Sequence, residues 1–130
     1  PATLSQHAGL IAMDEEEELE ANIDVYRANR ALMLDALPAM GLRSIAPPDG
    51  AFYIYADIGH LTDDSIAFCE ALLRETGVAT APGVDFDPVN GHRFIRFSFA
   101  VSTAQVEDAL ARIKPFFAAR TAAAEERLSA

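Results

Sequence analysis

Residues 94–100 read Phe94-Ile95-Arg96-Phe97-Ser98-Phe99-Ala100, a run in which aromatic and β-branched side chains dominate. This composition predicts a β-strand that packs against a core. Because side chains alternate between the two faces of a strand, one face is wholly apolar and the other carries Arg96. The apolar face consists of Ile95, Phe97, Phe99 and Val101. From the strand alone, Arg96 either faces solvent or is placed to bind an anion.

The composition is that of an ordinary globular domain with an acidic surface. The chain has 130 residues, 51% of them hydrophobic and 23% charged, and domains usually have roughly 100–200 residues. The net charge of −10 repels phosphate backbones and anionic lipid, which argues against nucleic acid and membranes as partners. The single cysteine, Cys69, is expected to be a buried, reduced thiol. No apolar run approaches roughly 18 residues and no signal peptide opens the chain, so we expect a cytoplasmic protein.

Hydrophobic spacing predicts a long amphipathic helix from about Glu15 to Met40, preceded by a shorter helix from about Ser5. The apolar stripe of the long helix consists of Leu19, Ile23, Tyr26, Met33, Leu37 and Met40. The acidic run at 14–18 falls in the first turn, where the helix dipole favours negative charge. A solvated helix start is the favoured interpretation of this run, and a site for a cation or a basic partner is the alternative.

The rest of the chain alternates between short strands and helices. In order, the predicted elements are strands at 42–46 and 51–57, a helix at 63–75 capped by Thr62 or Asp63 and stopped by Gly77, strands at 78–81 and 94–100, and a helix that begins with the capping box Ser102-Thr103-Ala104-Gln105. Pro47-Pro48-Asp49-Gly50 and Asn90-Gly91 are turn signals, the second of the hairpin type. This order predicts an α+β two-layer sandwich, with a small, mainly antiparallel sheet and helices on one face.

We expect residues 1–130 to form a single domain. Residues 1–14 are interpreted as a boundary segment, and the alanine-rich end at 118–130 is expected to fray. Pro115 is a potential kink in the last helix.

The sequence contains no evident covalent catalyst or metal site. Each glycine lies at a turn or a helix end rather than in a phosphate-binding loop, apart from Gly9, and the histidines at 7, 60 and 92 have no metal-ligand spacing. The only lysine, Lys114, has the position of a solvated helix residue. A lysine that forms a Schiff base normally needs desolvation or a cationic neighbour. We therefore expect no catalytic, cofactor-binding or metal-binding residue in this chain.

Several motifs, taken in order, resemble the C-terminal small domain of fold-type-I pyridoxal-phosphate-dependent aminotransferases, of the aspartate aminotransferase-like class I/II. The resemblance runs from Leu4 to about Phe117. It rests on Pro48-Asp49-Gly50-Ala51-Phe52-Tyr53, on Gly77-Val78-Ala79 leading into Pro82-Gly83 with Phe86, and on Gly91 before the strand at 94–100. Each motif is weak alone, and their order and spacing make the resemblance fairly specific.

The resemblance implies a substrate-binding role for Arg96 and Gly83. Arg96 corresponds to the arginine that holds the substrate α-carboxylate, a task for which the planar guanidinium fork suits a carboxylate better than lysine does. Gly83 lies in the loop that approaches the substrate, where glycine permits backbone conformations that other residues resist. The family often has glycine after the phenylalanine of this loop, and here Asp87 follows Phe86. One of Phe52 and Tyr53 is expected to face the core.

The resemblance also implies the chemistry of a parent protein. That protein would transfer an amino group between an amino acid and a 2-oxo acid, with pyridoxal phosphate bound by its large domain and not by these residues. We expect a homodimeric parent, with Ser5 and Gln6 near a neighbouring subunit, and a fragment that is inactive alone and self-associates through its exposed face. The alternative is a stand-alone, non-catalytic module that binds a small carboxylate or a partner chain. The side-chain specificity of the substrate is not readable from this sequence.

Overall fold

The computed structural model describes residues 2–129, which form four α-helices and a three-stranded antiparallel sheet. In chain order the elements are α1 (Thr3–Ala12), α2 (Glu16–Ala39), β1 (Tyr53–Asp57), α3 (Ser65–Thr76), β2 (Ala81–Pro82), β3 (Phe94–Ser98) and α4 (Thr103–Ser129). Two 3₁₀ turns, Gly83–Asp85 and Gly91–Arg93, lie between β2 and β3. The strand order is β1-β3-β2, so the strand that carries Arg96 is central.

The sheet buries one face against the helices. Inward-facing residues of β1 and β3 are at most 4% exposed and share one apolar core with α2, α3 and α4. The most deeply buried apolar side chains are Leu37, Leu42, Ile54, Ile58, Leu72, Ile95, Ile113 and Phe117. On the opposite face, Tyr53, Tyr55 and Arg96 are only half-buried. The predicted α+β two-layer arrangement is therefore confirmed.

The helices follow the hydrophobic pattern, except for α1 and the first part of α2. In α2, the residues Met33 and Leu37, and Met40 just after its end, are buried, whereas Leu19 and Ile23 are 46% and 38% exposed. The whole of α1 is exposed along with this first part of α2. The apolar side chains of α2 thus recur along the whole helix, but they are buried only in the part that packs against the sheet and α4.

The ends of the last two helices are fixed by local signals. Asp64, rather than Thr62 or Asp63, caps α3 by accepting hydrogen bonds from the N–H groups of Ile66 (3.1 Å) and Ala67 (3.0 Å). Gly77 ends α3 with φ +71°, the left-handed conformation that favours glycine. The capping box of α4 is confirmed by reciprocal bonds between Ser102 and Gln105. The helix α4 runs through Pro115 to Ser129, and whether its end frays stays a prediction.

Two predicted strands are shorter in the structure. The segment 42–46 makes a single bridge between Ile45 and Ala56, because Pro47 and Pro48 have no N–H to extend the ladder. Of the segment 78–81, only Ala81 belongs to β2, which also includes Pro82. The hairpin predicted at Asn90-Gly91 is wrong: Asn90 has φ −108°, and Gly91 begins a 3₁₀ turn. Within residues 2–129, no helix is both long and apolar enough to cross a membrane.

Asn29 of α2 holds the end of the Arg96 strand. Its side chain is fully buried, and Nδ2 donates to the carbonyl oxygens of Phe99 (3.0 Å) and Val101 (2.7 Å). These carbonyls follow β3 directly, so α2 fixes the path by which the chain leaves the sheet.

Replacing Asn29 by alanine is expected to lower the free energy of unfolding by about 1–3 kcal/mol, because the buried carbonyl of Phe99 and the partly buried carbonyl of Val101 lose their donor. Urea denaturation monitored by circular dichroism measures the change. The matched control is Asn22→Ala, since Asn22 makes a similar hydrogen bond to Glu18 on an exposed face. Equal losses in both variants would contradict the role of Asn29.

Candidate functional site

Arg96 lies at the centre of β3, on the face of the sheet that the helices leave uncovered. It pairs across the ladder with Tyr55 of β1 and Ala81 of β2. Its guanidinium carbon lies 4.3 Å from the ring centroid of Phe86 and 5.1 Å from that of Tyr53. The fork is therefore held between aromatic rings, a contact that stabilises a cation while leaving its in-plane N–H groups unused.

The charge of Arg96 has no acidic partner among the described residues. Five other arginines form ion pairs: Arg27, Arg74, Arg93, Arg112 and Arg120. Arg96 forms none, and its Nε is buried without a hydrogen-bond partner. Partly burying a guanidinium without a counter-charge costs free energy, and a bound anion would reduce that cost. An unpaired positive charge of this kind is the first requirement of a carboxylate anchor.

Gly83 is buried beside this site for a different reason from the one predicted. Its φ is not in the left-handed region, so backbone freedom does not explain the residue. A Cβ on Gly83 would lie 2.5 Å from the carbonyl oxygen of Gly91 and 2.7 Å from Cβ of Phe94. Glycine is therefore needed for the close packing of the two 3₁₀ turns. Its role in binding a substrate stays a prediction.

Asp87 forms hydrogen bonds within the loop between those turns. Its carboxylate accepts hydrogen bonds from the N–H groups of Val89 (2.8 Å) and Asn90 (3.0 Å). These bonds, the one from Asn90 first, lower the pKa of the Asp87 carboxyl below its usual range. The carboxylate is thus engaged within its own loop.

Tyr55 is a site residue that the sequence did not single out. Its ring stacks on Phe94 with centroids 4.8 Å apart, and its hydroxyl donates a long hydrogen bond of 3.5 Å to the carbonyl of Gly83. Burial, with a smaller contribution from Asp87, raises the pKa of Tyr55, so the hydroxyl stays protonated at neutral pH. The signal was present in the alternation of the strand, which puts Tyr53 and Tyr55 on one face.

The prediction that Phe52 or Tyr53 faces the core is wrong. β1 begins only at Tyr53, and Phe52 before it is 47% exposed. Tyr53 is half-buried on the Arg96 side, in edge contact with Phe52 at 6.0 Å. Both aromatic residues therefore lie outside the apolar core.

An open cavity of about 460 Å³ adjoins the aromatic rings around Arg96. It is lined by Ala46, Pro47, Pro48, Gly50, Ala51, Tyr53, Tyr55, Phe86 and Asp87. The loop 46–51 thus forms one wall, and the loop of Asp87 forms the other. Tyr53 and Phe86, the two rings in contact with Arg96, line this cavity, whereas Arg96 itself does not.

The other sequence candidates lie apart from Arg96. Lys114 is exposed on α4, on the helical side of the sheet, so it offers no desolvated amine for a Schiff base. That the chain lacks cofactor-binding residues stays a prediction, and no step through pyridoxal phosphate is assigned to it. Cys69 is buried, and burial raises the pKa of its thiol. Across residues 2–129, no group of histidine, cysteine and acidic side chains is arranged to hold a metal ion.

Comparison with known proteins agrees with the motifs. The family model described as aminotransferase class I and II matches residues 2–113. The valine–pyruvate aminotransferase of Mycobacterium tuberculosis is 50% identical over 115 residues, which cover 87% of this chain and 30% of that protein. The aspartate/prephenate aminotransferase of Thermus thermophilus is 38% identical over 116 residues, which cover 86% of this chain and 29% of that protein.

A solved structure gives the same answer for the fold. The crystal structure of an aminotransferase from Mycobacterium tuberculosis matches with a TM-score of 0.76 and 48% identity, over 78% of this chain and 26% of that one. The chain spans about 30% of the length of the curated relatives it matches. Its family follows from the extent of the matched model, which covers most of the residues: the chain belongs to the aminotransferase class I and II family.

Proposed function

We propose that this chain supplies the α-carboxylate anchor of a pyridoxal-phosphate-dependent aminotransferase. The observation that carries the proposal is Arg96, a half-buried guanidinium between two aromatic rings with no acidic partner among residues 2–129. Gly83 contributes to the same site through the backbone of its loop. The parent protein transfers an amino group between an amino acid and a 2-oxo acid.

The chemistry of both substrates suits a single anchor. An amino acid and a 2-oxo acid differ at the α-carbon but carry the same carboxylate. A guanidinium fork binds that group with two parallel hydrogen bonds and stays charged at every working pH. Holding the carboxylate fixes where the α-carbon lies, and this orientation is a recognised source of rate enhancement.

Two parts of the parent protein have different roles under this proposal. These residues orient the substrate, and the groups that bind pyridoxal phosphate come from elsewhere in the parent. A cytoplasmic location and a homodimeric parent belong to the same proposal.

The 130-residue chain alone is expected to give no transamination and no absorbance of bound pyridoxal phosphate, because Lys114 is exposed on the face away from Arg96. The polypeptide extended by its upstream coding sequence is expected to give both. Absorbance spectra and a coupled assay of the two proteins, with amino acid and 2-oxo acid present, make the comparison.

Turnover by the 130-residue chain would contradict the proposal that the cofactor-binding groups lie elsewhere in the parent protein. Tight calorimetric binding of small carboxylates to the chain alone, lost in Arg96→Ala, would instead favour the stand-alone module. Arg43→Ala is the matched control, since Arg43 is exposed and forms no ion pair among the described residues.

A further inference from the structure

Hydrogen bonds to both the side chain and the backbone of Asp87 cross the loop around it. The Asp87 carboxylate binds the N–H groups of Val89 and Asn90, and its carbonyl accepts the N–H of Gly91 at 2.9 Å. Its own N–H donates to the carbonyl of Gly83, also at 2.9 Å. A glycine at position 87 would keep the backbone bonds and lose those of the side chain.

Phe86 is held in place by the backbone of this loop and not by packing in the apolar core. Its N–H donates to Gly83 at 2.9 Å, and the next residue is Asp87. The side chain is 51% exposed and lies outside the apolar core. Its ring centroid nevertheless lies 4.3 Å from the guanidinium carbon of Arg96. The backbone on either side of Phe86 therefore decides where the ring lies relative to Arg96.

Asp87 does not neutralise Arg96. The two residues form no ion pair, and the causes that lower the pKa of Asp87 begin with the backbone N–H groups of Asn90 and Val89. The acid thus acts on the loop as a hydrogen-bond acceptor. The charge of Arg96 remains available for a ligand.

We propose that Asp87 is a positioning residue for the carboxylate anchor: it fixes the loop that holds the Phe86 ring against the guanidinium of Arg96. A stacked guanidinium cannot tilt freely, while its in-plane N–H groups still reach a carboxylate. The inference rests on the proposed function of Arg96, and it gives a task to the residue that departs from the usual glycine of the family pattern.

Nuclear magnetic resonance of the 130-residue chain tests the geometry directly. The ring current of Phe86 displaces the Arg96 side-chain N–H signal. In Asp87→Ala and in Phe86→Leu, this signal is expected to move toward the position of exposed Arg43. In Asp87→Asn it is expected to stay, because the amide oxygen still accepts the bonds of the loop.

The matched control is Asp64→Ala. Asp64 caps α3 with two similar backbone hydrogen bonds at a distance from the site, so its removal costs stability without affecting Arg96. An unmoved Arg96 signal in Asp87→Ala would overturn the inference, as would an equal movement in Asp64→Ala. A movement in Asp87→Asn as large as that in Asp87→Ala would assign the effect to charge, which also overturns it.

Kinetics of the parent aminotransferase separate this inference from the function it rests on. Asp87→Ala is expected to raise KM for the amino acid several-fold with little change in kcat, since a misplaced anchor weakens binding in the ground and transition states alike. Asp87→Asn is expected to restore KM. If Arg96→Ala leaves kcat/KM unchanged, the proposed function fails. If Arg96→Ala lowers kcat/KM and Asp87→Ala leaves KM unchanged, only the positioning role fails.

Discussion

The parent protein carrying Arg96→Ala is expected to lose about 30- to 4,000-fold in kcat/KM, since truncating one partner of a hydrogen-bonded charge pair costs about 2–5 kcal/mol and 1.4 kcal/mol is tenfold. The loss applies to the amino acid and the 2-oxo acid together, because the carboxylate is common to both. Arg96→Lys keeps the charge but not the fork, so its loss is expected to be intermediate. Steady-state kinetics with each substrate measure these ratios.

A substrate without the carboxylate provides the sharpest control for Arg96. The wild-type enzyme is expected to discriminate strongly between an amino acid and its α-amide. That preference should largely disappear in Arg96→Ala and persist in Arg43→Ala. If Arg96→Ala keeps the full preference for the acid, another group holds the carboxylate and the role of Arg96 is wrong.

Gly91→Ala is expected to destabilise the 130-residue chain by about 3 kcal/mol or more, because overpacking against rigid backbone has no cheap relaxation. A Cβ on Gly91 would lie 2.4 Å from the carbonyl carbon and oxygen of Gly83 and 2.5 Å from the nitrogen of Val84. All of these atoms are backbone, so no side chain can rotate away. Domains of this size are stable by only about 5–15 kcal/mol, which makes the loss a large share of the total.

Chemical denaturation of the variants measures the effect of Gly91→Ala. The control is Gly9→Ala, since a Cβ on Gly9 meets nothing within 4 Å and the residue lies inside helix α1. Alanine there is expected to be neutral or stabilising by about 0.5–1 kcal/mol. Similar stability of the two variants would show that the contact between the two 3₁₀ turns is not close in solution.

Features determined by neighbours in sequence were predictable. The strand at 94–98, the stop at Gly77 and the capping box at Ser102 depend on a few adjacent residues. The hairpin at Asn90-Gly91 failed because contacts outside the dipeptide, with Asp87 and Gly83, decide the local conformation. Gly91 packs against Gly83, and that contact replaces the turn which the dipeptide alone would favour.

The candidate site was predictable only in its charged residue. Alternation in the strand placed Arg96 on the face opposite the apolar one, and the family resemblance implied that its ligand is a carboxylate. The rings beside it come from β1 and from the loop before Gly91, and no spacing in the sequence brings Tyr53 and Phe86 to one guanidinium. The exposed helix α1 is a similar case, since its hydrophobic pattern predicts a helix but says nothing about the surroundings of its apolar side chains.

The strand order also bears on how the chain reaches its native state. β3 pairs with β1 across the whole of α3 and with β2 across both 3₁₀ turns, so neither pairing is local. Closing such loops costs chain entropy before any contact compensates for it, whereas helices form from neighbouring residues within about a microsecond. We therefore expect the surroundings of Arg96 to be assembled late in folding, after α2 and α4 have gained much of their helical structure.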